Sequence, residues 1–303
     1  MENLLLKALQ KGASDLHISK DGIYFRVNKE LLKQDISIDL ESFIFTLKQN
    51  YALELHKSKT IRLKEVQLRA SLYKSQDSLS LALRILSPKI PSFETLGLPV
   101  VMSSICSKLE GLVLVCGATG SGKSSTVASM IDYINTNFNK HILTIEDPVE
   151  YVHANKNSLI SQREVGVDVS SFEEGLSTSL RQDPDVIVIG EILSPSILKE
   201  AIMLSLSGHL VISTFHASDA VSAILRILGS FKNDMRVNLA DSLNALICQR
   251  LLLKDDAMRL ECEILVNTTA IKSLIKDDKV SQIHSQIAMG REFGMQSFKD
   301  SKS

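Results

Sequence analysis

A glycine-rich segment directly follows an apolar run from Leu112 to Cys116. The run predicts a buried parallel strand, and glycines after such a strand let backbone amides curl around a polyphosphate at the start of a helix. The lysine of the segment can reach the β and γ phosphates, and the next serine hydroxyl can hold Mg²⁺. The predicted loop consists of Gly117, Ala118, Thr119, Gly120, Ser121, Gly122, Lys123, Ser124 and Ser125. This pattern predicts a binding site for ATP or GTP.

The composition limits what surrounds this loop. A length of 303 residues suggests about two domains, and the 44% hydrophobic content is sufficient for packed cores. The 34 Lys and Arg residues balance the 35 Asp and Glu residues, so the chain lacks the basic excess typical of nucleic-acid binders. No apolar run approaches the roughly 18 residues of a membrane span, and no signal peptide is evident, which predicts a soluble cytosolic protein. The four cysteines lack CxxC spacing, so we expect neither disulfides nor a zinc site.

Residues 1–86 are predicted to form a small α+β domain. Apolar residues alternate over 66–72 and again over 79–85, with a polar turn between them, which predicts a hairpin. A second hairpin is predicted over Asp15 to Ser19 and Tyr24 to Val27, followed by a helix from Leu40 to Leu55. The proline-containing stretch 87–99 predicts a linker between two domains.

Residues 100–303 alternate between strand and helix patterns. Besides Leu112 to Cys116, strands are predicted near 141–145, 186–190 and 210–214, and the first helix begins at 124. This alternation is typical of an α/β nucleotide-binding core. From about 232 the pattern predicts a mainly helical C-terminal region.

Acidic residues follow two of the predicted strands. Glu146, Asp147 and Glu150 follow the strand after the loop helix, and Glu191 follows the apolar run Val186 to Ile189. Carboxylates at the carboxyl ends of core strands lie at the ligand edge of an open α/β sheet, where they can order Mg²⁺ or a water. Glu191 is typical of a Walker B acid. For the first group, a solvated loop with a proline turn is the alternative.

A histidine lies near each end of the strand predicted at 210–214. His209 precedes the strand and His216 follows it. Their placement on a core strand favours a role as γ-phosphate sensors, although a lone histidine is more often an ordinary core or surface residue.

Taken in order, these motifs resemble those of the secretion-superfamily ATPases, with the pilus retraction branch as the nearest. The core motifs are the loop, Ile145-Glu146-Asp147-Pro148-Val149-Glu150, Gln162-Arg163-Glu164-Val165-Gly166, Leu180-Arg181-Gln182-Asp183-Pro184-Asp185, Gly190-Glu191 and the histidine segment. Outside the core, Ala13-Ser14-Asp15-Leu16-His17 and Ala270-Ile271-Lys272-Ser273-Leu274-Ile275 are similar to the family's terminal signatures. The resemblance covers nearly the whole chain. It implies a RecA-like P-loop ATPase core preceded by a PAS-like α+β domain.

The resemblance also implies residue roles. Glu150 is similar to the family's catalytic glutamate, with Glu146 as the second candidate, and Ser124 and Glu191 are the implied Mg²⁺ ligands. His209 and His216 match the histidine box. Arg69 and Arg84 resemble the arginines that reach the phosphates from the N-terminal domain. For each arginine, a solvated strand residue is the alternative.

The implied function is a motor that hydrolyses ATP to drive pilus retraction or assembly, type II secretion or conjugative secretion. Members of the family are homohexamers at the cytoplasmic face of the inner membrane, where they act through a membrane-embedded platform protein. A nucleotide-binding regulatory subunit with weak catalysis and a DNA translocase are the alternatives, although the balanced charge makes nucleic acid the less favoured partner.

The sequence departs from the family pattern at several places. Family members follow the Walker B glutamate with a hydrophobic residue, Arg and Asp, whereas this chain has Ile192, Leu193 and Ser194. The N-terminal domain is shorter around Gly22 to Leu32, and the sequence ends soon after Gln296. These differences predict slower turnover or altered partner surfaces, and they leave the phosphate-binding loop intact.

Overall fold

A computed structural model describes residues 2–27, 30–56, 58–63, 66–75, 77–86, 90–231, 235–254 and 257–301. The chain divides into two compact units. The first consists of Met1–Lys89 with Glu150–Val152, and the second consists of Ile90–Val149 with His153–Ser303.

The first unit is an antiparallel sheet with two helices. Its elements are α1 (Glu2–Gln10), β1 (Asp15–Ser19), β2 (Gly22–Val27), β3 (Glu30–Gln34), α2 (Leu40–Tyr51), β4 (Ser58–Leu63), β5 (Val66–Ser75) and β6 (Ser78–Leu86). The strand order is β3-β2-β1-β6-β5-β4. Both predicted hairpins are confirmed as β1 with β2 and β5 with β6. The predicted helix from Leu40 ends at Tyr51, and β3 and β4 were not predicted.

The two faces of this sheet differ in polarity because strand side chains alternate. Leu16, Phe25 and Leu83 lie on the buried face and form part of one apolar core. Asp15, His17 and Arg84 occupy the alternating positions on the opposite face. The alternation that predicted the hairpins therefore also sorts charged residues onto one face.

The second unit is a seven-stranded sheet with helices between its strands. Its elements are α3 (Phe93–Leu96), α4 (Val101–Cys106), β7 (Gly111–Cys116), α5 (Lys123–Asn137), β8 (His141–Glu146), β9 (Leu159–Glu164), α6 (Phe172–Ser179), β10 (Val186–Ile189), α7 (Pro195–Leu206), β11 (Leu210–Phe215), α8 (Ala220–Gly229), α9 (Arg236–Ser242), β12 (Leu243–Lys254), β13 (Ala257–Val266), α10 (Thr269–Lys276) and α11 (Ile283–Met289). Short 3₁₀ turns occur at Leu180–Gln182, Val280–Gln282 and Gly290–Phe293.

The order of this sheet is β13-β12-β7-β11-β10-β8-β9. The strands from β12 to β9 are parallel, and β13 pairs antiparallel at one edge. Leu112 and Leu114 enter one apolar core and Val113 and Val115 enter another. Because β7 is buried on both faces, it reads as a continuous apolar run. The α/β class predicted for this region is confirmed.

The region after residue 232 was only partly predicted. Residues 232–234 lie outside the described ranges, and from 235 the chain forms a short helix, the long β12–β13 hairpin and then further short helices. The expected mainly helical region is therefore wrong over Leu243 to Val266. Residues 245–248 are apolar and buried on both faces of the sheet, and periodicity alone cannot distinguish a buried helix from a buried strand in such a run.

The predicted linker 87–99 contains a short helix. Residues 87–89 lie outside the described ranges, whereas α3 begins after Ser92, whose Oγ accepts a hydrogen bond from Thr95 N, and ends at Gly97 with φ 70°. Serine at the N-cap and glycine in the left-handed region are preferred ends of a helix.

The four cysteines are free and buried. Burial raises the pKa of the Cys262 thiol to about 11, and it raises the pKa of Cys106 further still. In keeping with the absence of long apolar runs in the sequence, none of the helices in the described ranges is long and apolar enough to cross a bilayer.

Candidate nucleotide site

The glycine-rich loop connects β7 to α5 at the centre of the sheet. Gly117, Gly120 and Gly122 have φ values of 152°, 77° and 88°. A Cβ atom on Gly117 would lie 2.5 Å from the backbone oxygen of Gln249, so only glycine fits there. Because Gly122 is the N-cap of α5, no side chain competes with an anion at the positive end of that helix. The loop therefore has the conformation that a phosphate-binding loop requires.

Lys123 lies on this loop. Its Nζ donates hydrogen bonds to the carbonyl oxygens of Gly117 at 3.0 Å and Ala118 at 2.9 Å. Ala118, Thr119 and Gly120 are exposed, whereas Ser121 is buried. The ammonium group is thus held at the exposed tip of the loop, where it can exchange its carbonyl partners for phosphate oxygens.

The carboxyl ends of four parallel strands form one edge next to the loop. Along this edge the order is β7, β11, β10 and β8, with Phe215 in register with Cys116 and Ile189 in register with Ile145. Since neighbouring strands lie about 4.8 Å apart, Glu191 after β10 lies roughly 10 Å along the edge from the loop strand. Glu146 at the end of β8 lies one strand farther. The edge therefore carries Glu191 and Glu146 in a fixed order.

Glu191 and His216 lie together at this edge. The His216 Nε2 is 3.9 Å from the Glu191 Oε2, and both side chains are partly exposed. Arg226 in α8 donates a hydrogen bond to the His216 carbonyl oxygen at 2.8 Å and lies over the Phe215 ring. These contacts fix the segment after β11 beside Glu191.

Glu146 is held by two polar side chains. Its Oε1 accepts hydrogen bonds from Thr144 Oγ1 at 2.6 Å and from Gln162 Nε2 at 3.2 Å. The Oε1 of Gln162 in turn accepts a hydrogen bond from His153 N at 2.9 Å. The same glutamine therefore connects Glu146 with the chain three residues after Glu150. Glu150 itself is exposed in the loop after β8.

Gly190 allows the two acidic strand ends to approach each other. A Cβ atom at this position would lie 3.2 Å from the Glu146 Cα and 3.4 Å from the Ile145 carbonyl oxygen. The absence of a side chain thus lets the segment after β10 pass close to the end of β8. Close packing therefore favours glycine at this position, in addition to its place in the Gly190-Glu191 motif.

The departures after Glu191 have different structural consequences. Ser194 is the N-cap of α7, and its Oγ accepts a hydrogen bond from Ile197 N at 3.3 Å. Serine and aspartate are comparable N-cap residues, so this change preserves the start of the helix. Leu193, in contrast, is 61% exposed and offers no charge to its surroundings.

His209 does not lie at the same edge as His216. It precedes β11, which is parallel to β7, and a rise of about 3.3 Å per residue separates the two histidines by roughly 20 Å. The His209 Nδ1 lies 3.1 Å from the Leu204 carbonyl oxygen and 3.1 Å from the Ser207 Oγ. The two histidines therefore lie at opposite ends of β11, and His216 is the one at the edge that carries Glu191.

Arg69 and Arg84 are neighbours in the first unit. They are cross-strand partners in β5 and β6. The Arg84 Nε donates to the Asp15 Oδ1 at 2.9 Å. Burial raises the pKa of Asp15, but hydrogen bonds from Arg84 and Ser14 outweigh it and leave the pKa below its ordinary value. The Asp15 carboxylate is therefore ionised and holds Arg84 in place.

Gln249 in β12 also contacts the loop and was not predicted. It is buried, and its Nε2 donates to the Ser121 carbonyl oxygen at 2.7 Å. The available signal is a polar amide directly after the apolar residues 245–248. That signal does not indicate which distant segment the amide contacts.

The fold and the loop define a P-loop ATPase with a RecA-like core, a class that many unrelated motors and transporters share. Comparison with known proteins is more specific, because residues 1–295 match the family described as "Type II/IV secretion system protein". The chain belongs to this family and is an ATPase of the secretion type.

Similar proteins cover nearly the whole chain. "Uncharacterized protein YggR" from Escherichia coli (strain K12) is 35% identical over 321 residues, which cover 99% of this chain and 96% of that protein. "Type IV pilus retractation ATPase PilT" from Pseudomonas aeruginosa is 37% identical, with 97% and 90% covered. The crystal structure of the pilus retraction motor PilT with bound ADP has a TM-score of 0.85 and 36% identity, and covers 94% of this chain and 88% of that one. This likeness supports nucleotide binding by the chain.

Proposed function

We propose that this chain is an ATP-driven motor for type IV pilus retraction or assembly, or for a related secretion machine. The observation that carries the proposal is the placement of the glycine-rich loop, Glu191 and His216 along one edge of the sheet. The whole-length similarity to PilT of Pseudomonas aeruginosa favours a pilus motor over other P-loop ATPases.

ATP is the proposed substrate of this edge. Amides of the loop and of the first turn of α5 would bind the phosphates, and Lys123 would contact the β and γ phosphates. The Ser124 hydroxyl and the Glu191 carboxylate fit Mg²⁺, because hard oxygen donors that leave room for phosphates and water are what this ion prefers. When bound, the ion would neutralise charge on the phosphates.

A carboxylate is proposed to orient the attacking water. Glu150 is the first candidate by resemblance, and Glu146 is the second because Thr144 and Gln162 hold it. Either group would accept a proton from the water as it attacks the γ phosphorus. His216, beside Glu191, would respond to the presence of the γ phosphate.

Arg69 and Arg84 are proposed to complete the site. An arginine supplied from a moving domain stabilises charge in the transition state and is worth roughly 10³ to 10⁵ in rate. The proposed assembly is a homohexamer at the cytoplasmic face of the inner membrane, where a membrane-embedded platform protein receives the movement. In such a ring, domain position would control hydrolysis.

Four variants test the assignment. We expect Lys123→Ala to lose nucleotide binding, and Glu191→Gln to bind ATP without turning it over. Comparison of Glu150→Gln with Glu146→Gln identifies the acid that activates water. Of these two variants, the one that lacks this acid should bind ATP without turning it over. Wild-type hydrolysis by Lys123→Ala refutes the proposed site.

A control variant and a test of assembly accompany these variants. Glu94→Gln, at an exposed position in α3, is expected to retain the wild-type rate. The ATPase rate per subunit should rise with protein concentration, because the arginines of a ring complete the site only after assembly. A rate per subunit that is independent of concentration from monomer to oligomer contradicts the proposed ring.

A further inference from the structure

Gln249 lies where β12 passes the beginning of the phosphate-binding loop. Cys248 is in register with Cys116, so Gln249 follows directly at the level where β7 gives way to the loop. The residue is 2% exposed. We propose that Gln249 is a positioning residue that sets nucleotide affinity by holding the loop in its phosphate-binding conformation. This inference rests on the proposed nucleotide site.

Gln249 contacts three of the loop residues. Its Nε2 donates to the Ser121 carbonyl oxygen at 2.7 Å. Its backbone oxygen lies so close to Gly117 that a Cβ there would be 2.5 Å away, and a Cβ on Gly122 would lie 3.3 Å from its Nε2. The backbone oxygen of Gln249 thus lies beside the start of the loop, and its side chain lies beside Ser121 and Gly122 at the first turn of α5.

The hydrogen bond to Ser121 fixes the direction of an amide. The peptide group between Ser121 and Gly122 is trans and planar, so its carbonyl and its N–H point in opposite directions. With the carbonyl held by Gln249 on the outer wall, the Gly122 N–H points away from β12. Because Gly122 has a φ of 88° and no Cβ, its peptide groups can rotate unless a partner holds them.

This amide orientation bears directly on phosphate binding. A phosphate-binding loop works by aiming several N–H groups at one anion, and each N–H aimed beforehand removes an ordering cost from binding. The Oε1 of Gln249 is buried without a hydrogen-bond partner. An unpaired buried acceptor is unfavourable, so this amide is not explained by packing alone. Its donated hydrogen bond is the feature that accounts for a polar residue here.

Two substitutions separate this hydrogen bond from packing. Gln249→Met keeps the length of the side chain but removes the donor. Gln249→Glu keeps the shape, but its carboxyl can donate to Ser121 only when it is protonated. Since burial raises the pKa of a carboxyl, protonation of the introduced acid falls within an accessible pH range.

The assay is equilibrium binding of a fluorescent ADP analogue to the 303-residue chain at several pH values. We expect Gln249→Met to bind about tenfold more weakly at every pH, as the loss of one buried hydrogen bond implies. Gln249→Glu should bind weakly at about pH 8 and regain affinity relative to wild type as the pH falls. The wild-type chain accounts for the other groups that titrate.

A matched control exists elsewhere in the same unit. The Nε2 of Gln296 donates to the Cys262 carbonyl oxygen at 2.8 Å, which is the same type of contact away from the loop. Gln296→Met should retain wild-type affinity. If it weakens binding as much as Gln249→Met, a general loss of packing explains the effect and the inference is overturned.

The results for the two Gln249 variants also test the inference. Wild-type affinity in Gln249→Met, or affinity in Gln249→Glu that follows the wild-type pH profile, overturns the inference. If Gln249→Met does not fold, the pH profile of Gln249→Glu decides alone. Lys123→Ala in the same assay separates the two proposals. If Lys123→Ala binds the ADP analogue like wild type, the proposed nucleotide site is refuted. If Lys123→Ala loses binding but the Gln249 variants bind like wild type, only the role of Gln249 is refuted.

Discussion

His153 makes the stability of the second unit depend on pH. The residue is 8% exposed and its Nδ1 has no hydrogen-bond partner. Burial lowers its pKa from 6.5 to about 4, Asp132 opposes this shift and Lys156 adds to it. Below about pH 6.5 the unfolded chain binds a proton at this histidine and the folded chain does not. Stability is therefore lost as the pH falls toward 4.

The magnitude follows from the shift. A difference of about 2.5 pKa units, 6.5 minus 4, at 1.36 kcal/mol per unit, corresponds to about 3 kcal/mol. This amount is fully present above about pH 6.5 and absent below about pH 4. Because net stabilities are about 5–15 kcal/mol, a loss of this size is readily measured.

The test compares wild type with His153→Leu, which cannot titrate at this position. Urea unfolding is followed by far-ultraviolet circular dichroism, since the chain has no tryptophan. Between about pH 7 and pH 4 the free energy of unfolding should fall by about 3 kcal/mol more in wild type than in the variant. All other titrating groups are common to both chains. Parallel curves over this range would refute the assigned burial of a neutral histidine.

Two further substitutions probe the site, and a matched pair of methionine substitutions probes the core. Gly117→Ala should abolish nucleotide binding in a calorimetric titration, because its Cβ meets a backbone oxygen at 2.5 Å; retained affinity contradicts the loop geometry. Gln162→Leu should lower turnover about tenfold with nearly unchanged KM, as expected when a hydrogen bond of 3.2 Å no longer positions Glu146. An equal rise in KM points instead to a binding role. Met102→Ala, in a fully buried position, should cost about 2–5 kcal/mol in thermal unfolding, whereas Met289→Ala, 66% exposed, should change stability by about 0.5 kcal/mol or less.

The loop and its strand could be predicted because their determinants are local. The run Leu112 to Cys116, the glycines and Lys123 are contiguous, and each has a conformational requirement that sequence reveals. The antiparallel hairpin of β5 and β6 was predictable for the same reason, since alternation and a polar turn occur within 21 residues, 66 to 86. Short-range patterns therefore sufficed for the main elements.

Long-range contacts were not predictable in this way. Gln249 and Ser121 are 128 positions apart, and nothing near either residue indicates the other. The histidines illustrate a related problem. The sequence indicated both ends of β11, but the direction of the strand in the sheet determines which end lies at the edge next to the phosphate-binding loop. The β12–β13 hairpin was missed because the apolar residues 245–248 of β12 pack on both faces of the sheet and show no alternation.

The burial of every cysteine has a practical consequence for studying movement. Cys116 and Cys248 lie on adjacent strands within the core, and Cys106 and Cys262 are equally inaccessible, so maleimide reagents should react slowly with the folded chain. A single cysteine introduced at an exposed site would then be the dominant point of labelling. The native chain thereby provides a low-background scaffold for attaching fluorophores or spin labels, with which the distance between its two units can be followed during turnover.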